Sequence, residues 1–157
     1  MEILSCVVIL GICAAISAPY IGTHDDMRAS SAARTLVSDL LYVQNQAIAT
    51  STKVYVQFDV TNSTYTVLTA LPSTIATHPV NKSPFVVALN TGSLNGCGIQ
   101  SVNFDDQTML AFDELGTPYS VSGGVATALQ SGKVIIKSGN YSLKVMVLPV
   151  TGQIIIQ

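Results

Sequence analysis

The sequence predicts an α+β chain: one long N-terminal α-helix, hydrophobic in its first half and amphipathic in its second, packed on a C-terminal antiparallel β-sheet or β-sandwich head. Three observations lead there. Residues 3–18, ILSCVVILGICAAISA, carry no charge. From Ala29 to Ala47, small and branched apolar residues return every three or four positions, the period of a helix with one buried face. Beyond Lys53 the period shortens to two, and the runs are broken by turns rich in Gly, Asn, Ser and Pro.

The first element is the apolar segment. Extended to Ile21 it forms a helix of about 28 Å, close to the thickness of a bilayer's hydrocarbon core. In lipid it has to be helical, because no water is there to satisfy exposed peptide groups. Residues 1–22 are therefore read as a transmembrane or filament-core helix and residues 23–157 as a head. A cleaved signal peptide fits poorly: Glu2 stands where Lys or Arg is wanted, and Ala18 is followed by Pro19. A plain membrane anchor leaves Glu2 unexplained. Gly11 weakens an ordinary helix by about 1 kcal/mol, and Pro19 removes a ladder bond and bends the axis.

The second element is an amphipathic helix over residues 24–50, with Thr23 and Asp25 as cap or first-turn residues. Ala29, Ala33, Leu36, Leu40, Val43 and Ala47 form its apolar stripe, which Val37, Leu41 and Ile48 are expected to widen. The stripe is expected to lie on a β-sheet, with a partner-helix groove as the alternative. Strands are predicted at 53–60 and 64–70 around Thr61-Asn62-Ser63, then at 85–89, 99–104, 109–112, 133–137, 141–148 and 153–156. The last three are expected to form a meander. Residues 71–84, with three prolines, read as a loop and the most mobile part of the head.

The composition fits this division. Of 157 residues, 48% are hydrophobic and only 10% charged, against about 25% charged in an average soluble domain, so part of the chain lives against lipid or protein. The net charge is −2, and the seven basic residues are scattered along the sequence, which argues against a nucleic-acid surface. Cys6 and Cys13 lie roughly 10 Å apart along one helix, too far to bridge, and read as packing residues. Cys97 stands in a Gly-rich turn as an inert thiol. His24 and His78 read as solvent-exposed histidines without zinc-ligand spacing. Asp105-Asp106 and Asp113-Glu114 flank one short strand. Their spacing is not that of an EF-hand, and turn capping is the expected role. No catalytic constellation, metal site or cofactor is expected.

Met1-Glu2-Ile3-Leu4, Val7-Val8-Ile9-Leu10-Gly11-Ile12, Ala14-Ala15-Ile16 and Ala18-Pro19 together resemble the N-terminal motif of type IV pilins and type II secretion pseudopilins. In that family a glutamate, an apolar run, an internal glycine and a proline fall at these offsets. Family precursors carry a short basic leader ending in Gly, with the glutamate fifth after cleavage. Here Glu2 is second, so a leader and three further residues are expected upstream. Val43-Gln44-Asn45-Gln46-Ala47-Ile48 and the strand after it, Phe112-Asp113-Glu114-Leu115-Gly116-Thr117-Pro118, and the ending Pro149-Val150-Thr151-Gly152-Gln153-Ile154 resemble the H-type pseudopilin and FimT-like branch. There the "F-x-x-x-G-x-P" turn precedes a strand pair.

The resemblance implies a non-enzymatic structural subunit: a minor pseudopilin of a type II secretion pseudopilus or related filament. It would prime or cap assembly and contact other subunits or cargo. Glu2 would pair with the N-terminal amine of a neighbouring subunit, and the helix would loosen near Gly11 and Pro19. The expected partners are other pilins or pseudopilins through the N-terminal helix, the inner membrane before assembly, and a prepilin peptidase if a leader exists upstream. The expected location is the bacterial inner membrane, single-pass with the head in the periplasm, and later a filament. The alternatives are a FimT-like minor pilin that binds DNA for uptake, which the uncharged C-terminus disfavours, and a major pilin.

Overall fold

The computed structural model describes residues 2–17 and 25–157. Pro19, Thr23 and His24 lie outside the described residues. Helix α1 spans Glu2–Ser17 and α2 spans Asp25–Thr50. Asp25 and Asp26 place two carboxylates in the first turn of α2, where the helix dipole favours them, and Asp26 accepts the Met27 N–H at 2.7 Å. The chain leaves α2 through Ser51 in a left-handed conformation, φ 51°, while the Ser51 and Thr52 N–H groups close back on Ile48 and Ala47.

Eleven strands follow among the described residues: β1 (Val54–Asp59), β2 (Thr64–Ala70), β3 (Thr74–Ile75), β4 (Val86–Ala88), β5 (Cys97–Phe104), β6 (Met109–Phe112), β7 (Pro118–Ser122), β8 (Val125–Ala128), β9 (Gly132–Ser138), β10 (Tyr141–Val147) and β11 (Ile154–Ile156). They form two antiparallel sheets. The larger has the order β3-β2-β1-β6-β7-β8, with β4 also paired to β2, and the smaller is β11-β10-β9-β5. The meander of the last three strands is present as expected. Asp59 fastens the β1–β2 turn by accepting from the Asn62 N–H and its amide. Those bonds hold its carboxyl below the usual range, the backbone bond most.

Helix α2 lies across the smaller sheet and reaches β1 and β6 of the larger. Ala29, Ala32, Ala33, Leu36, Leu40, Val43 and Ala47 are buried, so the predicted stripe is the one that packs. One core joins all three layers, with Leu36 and Leu40 from α2, Phe58 from β1, Phe104 from β5 and Ile136 and Val145 from the smaller sheet. The Phe58 ring stands 5.5 Å from Phe104 and 5.8 Å from Tyr65, bridging the sheets.

The fold departs from the sequence reading in four places. Leu41 and Ile48 do not widen the buried stripe; they are 41% and 46% exposed. Residues 71–84 are not structureless, since β3 pairs with β2, Thr77 bridges Pro84, and Ala76 exchanges backbone bonds with Val67 and Phe85. Strands β7 and β8, absent from the period-based list, form the strand pair that the "F-x-x-x-G-x-P" resemblance implies. Cys97 opens β5 and is buried in the core rather than sitting in a turn.

Candidate functional site

The residues singled out for function fall in two places, helix α1 and a junction of turns beside α2. In α1, Ile3, Val7, Val8, Ile9, Leu10 and Ile12 are 52–82% exposed. At 100° per residue these six point to every side of the helix, so α1 has no face suited to water. A helix apolar all round has to be covered, by lipid or by other helices. Burying six such side chains is worth on the order of 10 kcal/mol. Among the described residues no helix is long and apolar enough to cross a membrane. At 16 residues, α1 measures about 24 Å.

Glu2 is the first residue of α1, the end at which the helix dipole stabilises an acid. Gly11 lies mid-helix, and a Cβ there would meet nothing within 4 Å. Among the described residues nothing requires a glycine at that position. Cys6 and Cys13 are both exposed on α1. Pro19, the third residue of the motif, is outside the described residues.

The junction is built by Gln44, in the last two turns of α2. Its Nε2 donates to the Gly116 carbonyl at 2.9 Å, with the Thr151 and Gly152 carbonyls at 3.5 and 3.4 Å. Three segments quoted separately from the sequence therefore meet at one amide: the helix stretch 43–48, the 112–118 turn and the 149–154 turn. Gly116 (φ +78°) and Gly152 (φ +64°) both take the left-handed conformation open to glycine. A Cβ on Gly152 would stand 2.6 Å from the Gly116 carbonyl oxygen, so the two turns are in direct backbone contact. Asp113 fixes the first turn by accepting the Leu115 and Thr117 N–H groups at 2.9 and 2.8 Å.

The other candidates have structural partners. Asp105 accepts the Gln130 and Ser131 N–H groups, and Asp106 accepts from Asn103, so this pair ties β5 to the start of β9. Among the described residues no group of His, Cys, Asp and Glu could hold a metal. His78 is half-buried rather than solvent-exposed. Its ring lies 4.5 Å from Phe85, and its Nδ1 accepts the Val80 N–H.

One polar pair at the α2–β2 contact was not legible in the sequence. The buried Tyr65 hydroxyl donates to Asp39 Oδ2 at 2.5 Å. Burial raises the Asp39 carboxyl above its usual range, partly offset by the Tyr65 hydrogen bond and the charge of His78. Burial and the Asp39 charge also push the Tyr65 phenol far up. A carboxyl whose pKa rises on folding stabilises the fold below its unfolded value, near 3.8, and loses that contribution as pH rises through the folded value. At neutral pH the ionised Asp39 is therefore a cost. Asp39→Asn keeps an acceptor for Tyr65 and should be slightly more stable than wild type at pH 7. The gain should stay below about 1 kcal/mol because water still screens the group, and should vanish as pH falls to 3.8. Thermal melts of both chains across that range check the sign.

No protein-family model and no curated protein sequence matches the chain. Solved structures do. The minor pseudopilin EpsH from the type 2 secretion system of Vibrio cholerae superposes with a TM-score of 0.58 at 15% identity, over 83% of this chain and 96% of that one. The type IV minor pilin FimU of Pseudomonas aeruginosa gives 0.55 at 15% identity, over 82% and 87%. The fold is pilin-like. This pilin-like chain has the long helix and the antiparallel sheet head that the sequence resemblance implies. The likeness of fold comes with about one residue in seven in common.

Proposed function

We propose that the chain is a non-enzymatic structural subunit of a type II secretion pseudopilus or related type IV filament, a minor pseudopilin that primes or caps assembly. One observation carries this reading: a helix apolar on every side, α1, precedes a head with the minor-pilin fold. The head has its own core, to which no described residue of α1 contributes. Segment 1–22 stores the subunit in the bacterial inner membrane with the head in the periplasm, then packs among like helices in the filament. Gly11, which the packing of the described residues does not require, lets a neighbouring helix approach closely.

Glu2 is the assembly residue in this reading. A carboxylate in hydrocarbon costs about 2.5–3.5 kcal/mol unless it is partnered, and the amine of an adjacent subunit is its partner. In cells making the leader-bearing precursor, Glu2→Ala should reduce this subunit in sheared filaments by roughly tenfold or more, the ratio set by about 1.4 kcal/mol. Its membrane level should be unchanged. Incorporation at the wild-type level would overturn the assignment.

A further inference from the structure

Three of the seven basic residues, Lys133, Lys137 and Lys144, come together on one face of the fold. In β9 the residues Gly132, Val134, Ile136 and Ser138 are buried while Lys133 and Lys137 are exposed. In β10 Val145 and Val147 are buried, which turns Lys144 and Met146 to the same outer side. That side faces away from α2, which packs on the inner one. The register sets Lys144 opposite Ile135, one strand over from the midpoint between the other two lysines. Lys133 and Lys137 are then about 13 Å apart at Cα, with Lys144 roughly 8 Å from each. Ile135, Met146 and Ile155, which pairs with Met146, lie between and beside them.

Strands β5, β9, β10 and β11 contain no acid. None of the three ammonium groups has a hydrogen bond or ion pair among the described residues. The acids at the sheet's ends are already engaged: Asp105 with Gln130 and Ser131, Asp106 with Asn103, and Asp25 with Ser138. Three unpaired like charges around an apolar strip call for a partner bearing both a carboxylate and apolar groups. The face carries no arginine fork and no stacking aromatic, so it is poorly suited to a nucleic-acid backbone.

The same chain displays the complement elsewhere. In the 112–118 turn Glu114 is exposed and unbonded among the described residues, and Leu115 is 81% exposed. Val150, 78% exposed, projects from the touching 149–154 turn. Asp113 and Gln44 hold this knob rigid. It is anchored on α2, whereas the lysines face away from α2, so one copy cannot close the contact on itself.

We propose that the lysine face of the smaller sheet receives the Glu114–Leu115 knob of a second copy of this chain. The contact is heterologous, so it repeats rather than closing into a two-fold dimer. It gives a priming subunit a way to set the first repeat of a filament. The inference rests on the filament-subunit reading but adds a specific head-to-head contact to it.

The test uses the full chain in detergent micelles, mixing ¹⁴N- and ¹⁵N-labelled protein and joining amines to carboxylates with a zero-length carbodiimide. Mixed-isotope cross-links between Glu114 and Lys133, Lys137 or Lys144 are expected. Self-association, read by sedimentation, should weaken about tenfold or more, as for a reversed close charge pair, in Glu114→Lys and, separately, in the triple variant Lys133→Glu, Lys137→Glu, Lys144→Glu. Mixing the two variants should restore association, seen by sedimentation. Inter-copy cross-links that map elsewhere, or variants that associate as wild type does, would overturn the contact. So would the lysine face binding duplex DNA with no self-association. Association through α1 that survives every charge reversal would leave the filament reading standing while removing this one.

Discussion

Replacing Phe104 with alanine should destabilise the head by about 3–5 kcal/mol, the range for a fully buried phenylalanine. Phe104 is wholly buried in β5 of the smaller sheet, and its ring meets Phe58 of β1 in the larger. Phe58 in turn meets Tyr65, whose hydroxyl reaches Asp39 on α2. Truncation opens a cavity where the three layers join, and Phe104 also packs near Gly132 at the start of β9. A domain of this size has a total stability of about 5–15 kcal/mol, so the variant should sit near its unfolding limit at 37 °C. In a chain beginning at Asp25, urea unfolding should show a much lower midpoint and an unchanged slope. The exposed Leu115→Ala is the control, expected within about 0.5 kcal/mol of wild type. A Phe104→Ala loss below 1.5 kcal/mol or so would mean that the sheets do not share one core at this ring.

The layers themselves were legible because their signals are local. The α2 stripe from Ala29 to Ala47 follows the helical period, and eight of the eleven strands among the described residues fell on the predicted runs. The β7–β8 hairpin escaped the period reading although its signal was present. Gly123-Gly124, both at positive φ, separate Ser122 from its register partner Val125, and a Gly-Gly pair between alternating runs is a hairpin mark. The exposure of Leu41 and Ile48 was not legible. An apolar stripe says which side of a helix is buried, but its width depends on how much sheet lies beneath it. Cys97 read as a turn residue because of flanking glycines, yet its pairing with Ser138 lies 41 residues away.

What long-range register decides was hidden for the same reason. Lys133, Lys137 and Lys144 share a face only because β9 and β10 pair in one particular register. Gln44 looked like part of a loose helix motif, and its carbonyl partners lie 72 to 108 residues downstream. The N-terminal motif was legible as a resemblance. Of its residues, Glu2 and Gly11 fall on α1, and Pro19 is outside the described residues.

The Gln44 junction makes the second large effect, at Gly152. Alanine there meets two separate penalties. Its φ of +64° is a left-handed conformation costing a residue with a Cβ roughly 1–2 kcal/mol. Its Cβ would also stand 2.6 Å from the Gly116 carbonyl oxygen and 2.5 Å from Gln44 Nε2. The amide can swing away, but the carbonyl is backbone in a turn that Asp113 pins with two hydrogen bonds. Swinging the amide away also strips that carbonyl of its 2.9 Å bond, which adds about 1–3 kcal/mol for a buried acceptor left unpaired. Gly152→Ala should therefore cost about 3 kcal/mol or more in total. Gly124→Ala separates the terms: its φ is +86°, but a Cβ there meets nothing within 4 Å, so it should lose only the conformational part, about 1 kcal/mol. Urea midpoints of the two variants decide the matter. Equal losses would mean that the turns carry no mutual contact and that only glycine's backbone freedom matters at position 152. A markedly larger loss at Gly152 would establish the junction as the clamp that holds the end of the β-meander on α2.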